Sequence, residues 1–220
     1  MGKIDGVVVG IVKGLDDPEK LGRIELHFPW MSDQNKSYWA RVATLMAGPG
    51  RGSWFQPEPE DEVLVAFEHG NTQHPYVVGF LWNKQDKPPR DGIDGKVRRV
   101  KTVSGHVLDF DDRDGKHAVK LTTAAGHKVH LDDQGSRITI ELTGGAGGPP
   151  RSVELAPGGI TLSAPLGTIT LDCLQLNLNP AAMMSVKTPF AQFSGVVMTQ
   201  TIVASNVVST TYSPGIGNLI

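Results

Sequence analysis

Along most of the chain, apolar residues alternate with polar ones in short bursts. In the first third, Val7-Val8-Val9, Arg23–Phe28, Tyr38–Thr44, Glu62–Phe67 and Tyr76–Leu81 read as strands. They are rich in β-branched and aromatic residues and are bounded by Gly, Pro, Asn or Asp. Alternation puts Ile24, Leu26 and Phe28 on one face of their strand, and Val63, Val65 and Phe67 on one face of theirs. Five strands in about 80 residues predict a small closed barrel of the oligonucleotide/oligosaccharide-binding (OB) type, whose closure leaves few free edges.

The pattern then changes. Leu108/Phe110, Val119/Leu121, Val129/Leu131, Ile138/Ile140/Leu142, Val153/Leu155, Ile160/Leu162, Ile169/Leu171 and Leu174/Leu176/Leu178 are paired or tripled apolar positions at period two. Turn residues separate them, including Asp112–Gly115, Ala125-Gly126, Gln134-Gly135, Gly144–Gly148, Pro157–Gly159 and Pro165–Gly167. An internal echo runs through this part: Gly105-His106-Val107-Leu108-Asp109-Phe110-Asp111-Asp112 is followed by Gly126-His127-Lys128-Val129-His130-Leu131-Asp132-Asp133. Self-similar β-bursts of this kind mark a solenoid or a β-prism.

Each burst offers an apolar stripe only two or three residues long, too little to stabilise an isolated hairpin in water. One solution is a single-chain β-helix. The other is an intertwined triple-stranded β-helix, a prism to which three chains each contribute strands. The scarcity of charge after Arg151, where only Glu154, Asp172 and Lys187 are ionic, favours the homotrimer. Its core is expected to hold Val129, Leu131, Ile138, Ile140, Ile160, Leu162, Ile169, Leu171, Leu174, Leu176 and Leu178. About 14 strand-plus-turn units, each advancing about 4.8 Å, would give a rod of roughly 65–70 Å.

Composition sharpens the division. All four Trp and four of the seven Phe precede residue 83. Pro88-Pro89, then Asp91-Gly92 and Asp94-Gly95, mark a linker. The expected organisation is an OB head over 1–83, a linker over 84–100, a needle over 101–211 and a blunt tip over 212–220. Twenty-one basic against 23 acidic residues leave a net charge of −2, without the clustered positive excess that nucleic acid requires. A lone cysteine, Cys173, excludes an intrachain disulfide and reads as a small buried hydrophobe. The N-terminal Met1–Gly6 has no apolar run of signal-peptide type, so synthesis in a bacterial cytoplasm is expected.

Leu21-Gly22-Arg23-Ile24-Glu25-Leu26-His27-Phe28-Pro29-Trp30 and Trp39-Ala40-Arg41-Val42-Ala43 resemble the OB head of the VgrG and phage baseplate-assembly protein V family. So do Pro59–Gly70 and His74–Asn83. The Gly-His units of the tail look like the start of that family's trimeric β-helix needle. The resemblance implies a non-enzymatic, homotrimeric central spike of a contractile injection system: a phage tail, a type VI apparatus or an extracellular particle. It further implies a separate hub protein under the OB heads and a PAAR-repeat cap at the needle's end, with effector cargo and transient contact with the target membrane. The cap would sit on Tyr212, Pro214, Gly215, Ile216, Gly217, Asn218, Leu219 and Ile220. Where family members have Gly-Asp-Glu, this chain has Glu60-Asp61-Glu62, so that turn is expected to differ.

Other constellations have simpler readings. His127 and His130, followed by Asp132 and Asp133, have a metal reading, but at strand spacing the two imidazoles point to opposite faces. His69 and His74 flank a polar hairpin loop. Asp111-Asp112-Arg113-Asp114-Gly115 resembles a calcium loop without its bidentate Glu. Glu58, Glu60, Asp61 and Glu62 cluster without a nearby His or Ser. No nucleophile elbow, phosphate loop or zinc spacing is present, so no catalytic residue, metal or cofactor is expected. A trimeric adhesin or carbohydrate-binding fibre, and an OB-type nucleic-acid binder, are the alternatives.

Overall fold

A computed structural model describes residues 3–31, 37–144 and 147–208. Among these, regular structure is β throughout, save for short 3-10 turns such as Glu68–Gly70. The head contains β1 (Val7–Gly14), β2 (Glu25–His27), β3 (Arg41–Val42), β4 (Ala47–Gly48), β5 (Arg51–Gly52), β6 (Glu62–Phe67) and β7 (Pro75–Phe80). Five of them form one sheet in the order β2-β1-β6-β7-β3. All its pairs are antiparallel except β3 with β7, and a bridge between Ile24 and Ala40 joins the two ends. This closed five-stranded arrangement is the OB barrel that the strand count predicts.

The barrel interior follows the alternation. Ile24, Leu26 and Phe28 meet Val63, Val65 and Phe67 in one buried cluster, completed by Val12, Ala40 and Val77. The β1–β2 connection is organised by Asp17, a buried carboxylate that accepts the backbone N–H groups of Glu19, Leu21 and Arg23. It also accepts the Arg23 guanidinium at two points, from Nε (3.1 Å) and Nη2 (2.7 Å). The Arg23 bond, opposed by desolvation, holds the Asp17 carboxyl well below the usual carboxylate range. Between β3 and β6 the chain leaves the barrel as a two-stranded arm, β4 with β5.

The remaining strands are β8 (Val97–Lys101), β9 (Val107–Asp111), β10 (Ala118–Thr122), β11 (Lys128–Asp132), β12 (Arg137–Leu142), β13 (Arg151–Ala156) and β14 (Gly159–Ser163). They pair in chain order as one antiparallel meander. The first of them begins inside the segment expected to be linker, where Arg99 forms a two-point ion pair with Asp109 of the facing strand. Through Ser163 every strand finds a ladder partner within the single chain, with β8 and β14 at the two edges. From Ala164 to Val208 no residue belongs to a strand. The chain separates into two units, 1–169 and 170–220.

The 21-residue echo corresponds to a repeated turn. Thr102 and Thr123 each bond the backbone of the residue four positions on, while Gly105 (φ 89°) and Gly126 (φ 86°) supply the left-handed position. His106 Nδ1 then accepts the N–H of Ala124, and His127 Nδ1 that of Thr143, both at 3.2 Å. Each turn thus braces the next one on the same edge of the sheet.

Candidate functional site

The meander presents two unlike faces. On one, Val100, Leu108, Leu121, Val129, Ile140, Val153 and Leu162 are directly paired across all seven strands. A second row beside it, Phe110, Val119, Leu131, Ile138, Leu155 and Ile160, is interrupted only at β8, by Arg98. At 4.8 Å per strand this apolar strip runs about 30 Å. Many of its side chains are open to solvent, with Ile140 50% and Ile160 73% exposed. The opposite face carries the row Arg99, Asp109, Lys120, His130, Thr139, Glu154 and Thr161. Half-buried sheets are ordinary, but soluble single chains rarely leave an apolar strip of this extent bare.

Six of the residues expected in the trimer core, Val129, Leu131, Ile138, Ile140, Ile160 and Leu162, lie together on the apolar face. The other five, Ile169, Leu171, Leu174, Leu176 and Leu178, lie in the stretch without strands and are exposed. Cys173, expected to be buried, is exposed in the single chain, because no neighbouring strand covers its segment. The tip residues from Tyr212 to Ile220 fall outside the described residues.

Most carboxylates of these clusters are engaged by cations, backbone N–H groups or a side-chain amide. Asp111 is buried and accepts Arg113 Nε (2.8 Å) and Nη2 (2.6 Å), with Lys120 Nζ at 3.3 Å. Chiefly through Arg113, its carboxyl stays well below the usual range. Asp112 pairs with Arg98 and Asp114 with Lys96, so the calcium-like stretch is an ion-pair network. Glu60 pairs with Lys13, Asp61 accepts the N–H of Glu58, and Glu62 accepts the amide of Asn83. His127 is committed to Thr143, whereas His130 lies on the polar face beside Lys120 and Thr139. His69 (φ 49°) lies in the 3-10 turn, and His74 Nδ1 is 4.0 Å from Glu68. Among the described residues, no group of three or more His, Cys, Asp or Glu is placed to hold a metal ion, and no helix is long and apolar enough to cross a membrane.

Sequence reasoning missed a second surface, on the head. The arm β4–β5 and β7 flank an open groove lined by Tyr38, Arg41, Met46, Trp54, Phe55 and Tyr76 among others. Arg41 lies 5.7 Å over the Tyr76 ring. The available signal is the pair Trp54-Phe55, set between the Gly-rich Gly48–Gly52 and the Pro-rich Pro57–Pro59.

Comparison with known proteins points to one machinery. Residues 8–82 match the family described as the type VI secretion system/phage-baseplate injector OB domain. The type VI secretion system spike protein VgrG3 of Vibrio cholerae is 29% identical over 133 residues, covering 54% of this chain and 13% of that protein. The actin cross-linking toxin VgrG1 of the same species is 28% identical over 133 residues, 54% of this chain and 12% of that protein. The spike protein VgrG1a of Pseudomonas aeruginosa is 33% identical over 75 residues, 32% of this chain and 12% of that protein. The chain therefore spans about an eighth of the length of these relatives.

Proposed function

Because residues 8–82 belong to the type VI secretion system/phage-baseplate injector OB domain family, we propose that the chain is one third of a homotrimeric, non-enzymatic central spike in a contractile injection machine. The observation that carries this reading is the exposed apolar strip of β8–β14, followed in sequence by a stretch, 164–208, with no strand partners. Three copies packed strip to strip bury those rows against one another. Strands contributed by the other two copies satisfy the backbone of 164–208, where an extended chain with unpaired groups would be costly to bury. The resemblance to VgrG and baseplate protein V supplies the three-fold symmetry.

In this reading the OB heads dock on a separate hub and the needle carries axial force through cross-chain hydrogen bonds. Tyr212–Ile220 receives a PAAR-type cap that meets the target membrane, with effectors as cargo. The spike is assembled from chains made in a bacterial cytoplasm and works within a phage-tail-like particle. The toxin activity named for one relative belongs to that protein, most of which lies beyond the matched region. Support for a structural role here comes from Glu60, Asp111, Asp112 and Asp114, each of which is paired with Lys or Arg. A gold label on the C-terminus of the full chain, viewed on negatively stained particles, tests the assignment. It should mark the axial, target-facing end of the baseplate; label along the sheath would contradict it.

A further inference from the structure

The meander ends in two unlike edges. At one, β8 carries Arg98, Arg99 and Lys101, and cations on an edge strand discourage further pairing. At the other, β14 is uncharged, pairs on one side only, and leaves Ile160 and Leu162 exposed. The chain beyond repeats it: Ile160-Thr161-Leu162 of β14 is echoed by Ile169-Thr170-Leu171, which belongs to no strand. The connections leading into the two units differ. Pro157-Gly158 is followed by Gly159 at φ 136°, and the β13–β14 hairpin closes. After β14 the chain turns through Ala164–Gly167, where the Gly167 N–H donates to Ala164 O (3.0 Å) and no residue has positive φ. Such a turn splays the flanking segments instead of pairing them. It also brings Gly167 to the β13 side of β14, away from the free edge: a Cβ built on Gly167 would fall 3.0 Å from Arg151 Nε.

We propose that the open edge of β14 takes Thr168–Asp172 of a second copy as an antiparallel strand, with Leu162 opposite Ile169, Thr161 opposite Thr170 and Ile160 opposite Leu171. The proposal rests on the spike reading and names the strand at which the copies first exchange backbone hydrogen bonds. Main-chain bonds to an open edge supply the attraction, and the alternating side chains fix the register. In this register Ile169 prolongs the row that ends in Val153 and Leu162, and Leu171 the row that ends in Leu155 and Ile160. Both apolar rows therefore continue from one copy into the next, while Thr170 joins Glu154 and Thr161 on the polar face. The antiparallel sense is that of every pair in the meander. A contact between the edge of one copy and a different segment of the next is head-to-tail, the kind that closes into a ring. Two β14 edges pairing with each other would be self-complementary and would stop at a dimer.

The test is disulfide trapping in the full chain with its single native thiol removed by Cys173→Ser. Thr161 and Thr170 are both exposed, so their replacement leaves the apolar rows intact. On oxidation, T161C/T170C should link most chains between copies, running on non-reducing gels as a ladder that ends at three chains. Mixing T161C with T170C before assembly should give linked pairs, whereas T161C alone should give none. T161C/T168C, one step off the register on the same face, should link far less. A T161C–T170C bridge formed only within one chain would overturn the proposal, as would linking of T161C to itself or equal linking in T161C/T168C. Light scattering on the same samples separates the two readings. A trimer without the interchain bridge would overturn the β14 edge and leave the spike reading standing; a folded species at one protomer mass would overturn both.

Discussion

Trp54 lies against Gly22: a Cβ built on Gly22 would fall 2.5 Å from Cη2 and Cζ3 of the indole. The contact ties the arm to the β1–β2 loop, and Gly22 also sits at φ 73°, where side chains are strained. Gly22→Ala should lower the thermal midpoint by several degrees. In a Trp54→Ala background the clash is gone and only the backbone cost, about 1–2 kcal/mol, remains. Equal penalties in both backgrounds would show that the ring does not rest there.

Asp17 and Asp111 make stability depend on acid. Both carboxyls are held below their ordinary value of 3.8, first by Arg23 and Arg113 respectively. A depressed folded-state value contributes stability that is fully present above the unfolded value and is lost as pH falls through the folded one. Unfolding midpoints should therefore be flat above about pH 5 and fall progressively below pH 4. Asp17→Asn and Asp111→Asn should each cost several degrees at pH 7 and flatten the acid limb. An unchanged acid limb in the double variant would place the sensitivity elsewhere.

Leu121 and Thr122 are neighbours in β10 that face opposite ways: Leu121 pairs with Leu108 and Val129, Thr122 with Val107 and Lys128. Leu121→Asp puts a charge into the apolar strip of each copy and should abolish assembly, whereas Thr122→Asp, opposite Lys128, should assemble normally. Sedimentation of the two variants compares the faces directly. Equal behaviour would mean that the strip is not the contact.

The bracing histidine gives a smaller effect. His127→Ala leaves the Thr143 N–H without its acceptor and should cost about 1 kcal/mol, read from urea unfolding. His127→Asn, which offers a side-chain oxygen, should recover part of it. No loss in the alanine variant would mean that water serves Thr143 equally well.

Much of this architecture was legible in period-two alternation. It located the barrel strands and their inward residues, because Ile24, Leu26, Phe28, Val63 and Val65 are set by one local rule. It also found the meander's bursts and the Gly-His echo, whose cause is the repeated left-handed glycine and its Thr and His partners. Alternation could not show that β8–β14 pair within one chain, because two-residue stripes satisfy intrachain and interchain ladders alike. Asp17 was missed because its partners are mostly backbone N–H groups, which no side-chain pattern reveals. The arm was missed because its ladder is only two residues per strand and its aromatics face outward.

Mass in solution tests the central claim most directly. Light scattering coupled to size exclusion on the full chain, at micromolar concentration and in dilution series, should give three times the 23.6 kDa protomer throughout. A folded species at one protomer mass, with residues 164–208 protected from proteolysis, would contradict the account.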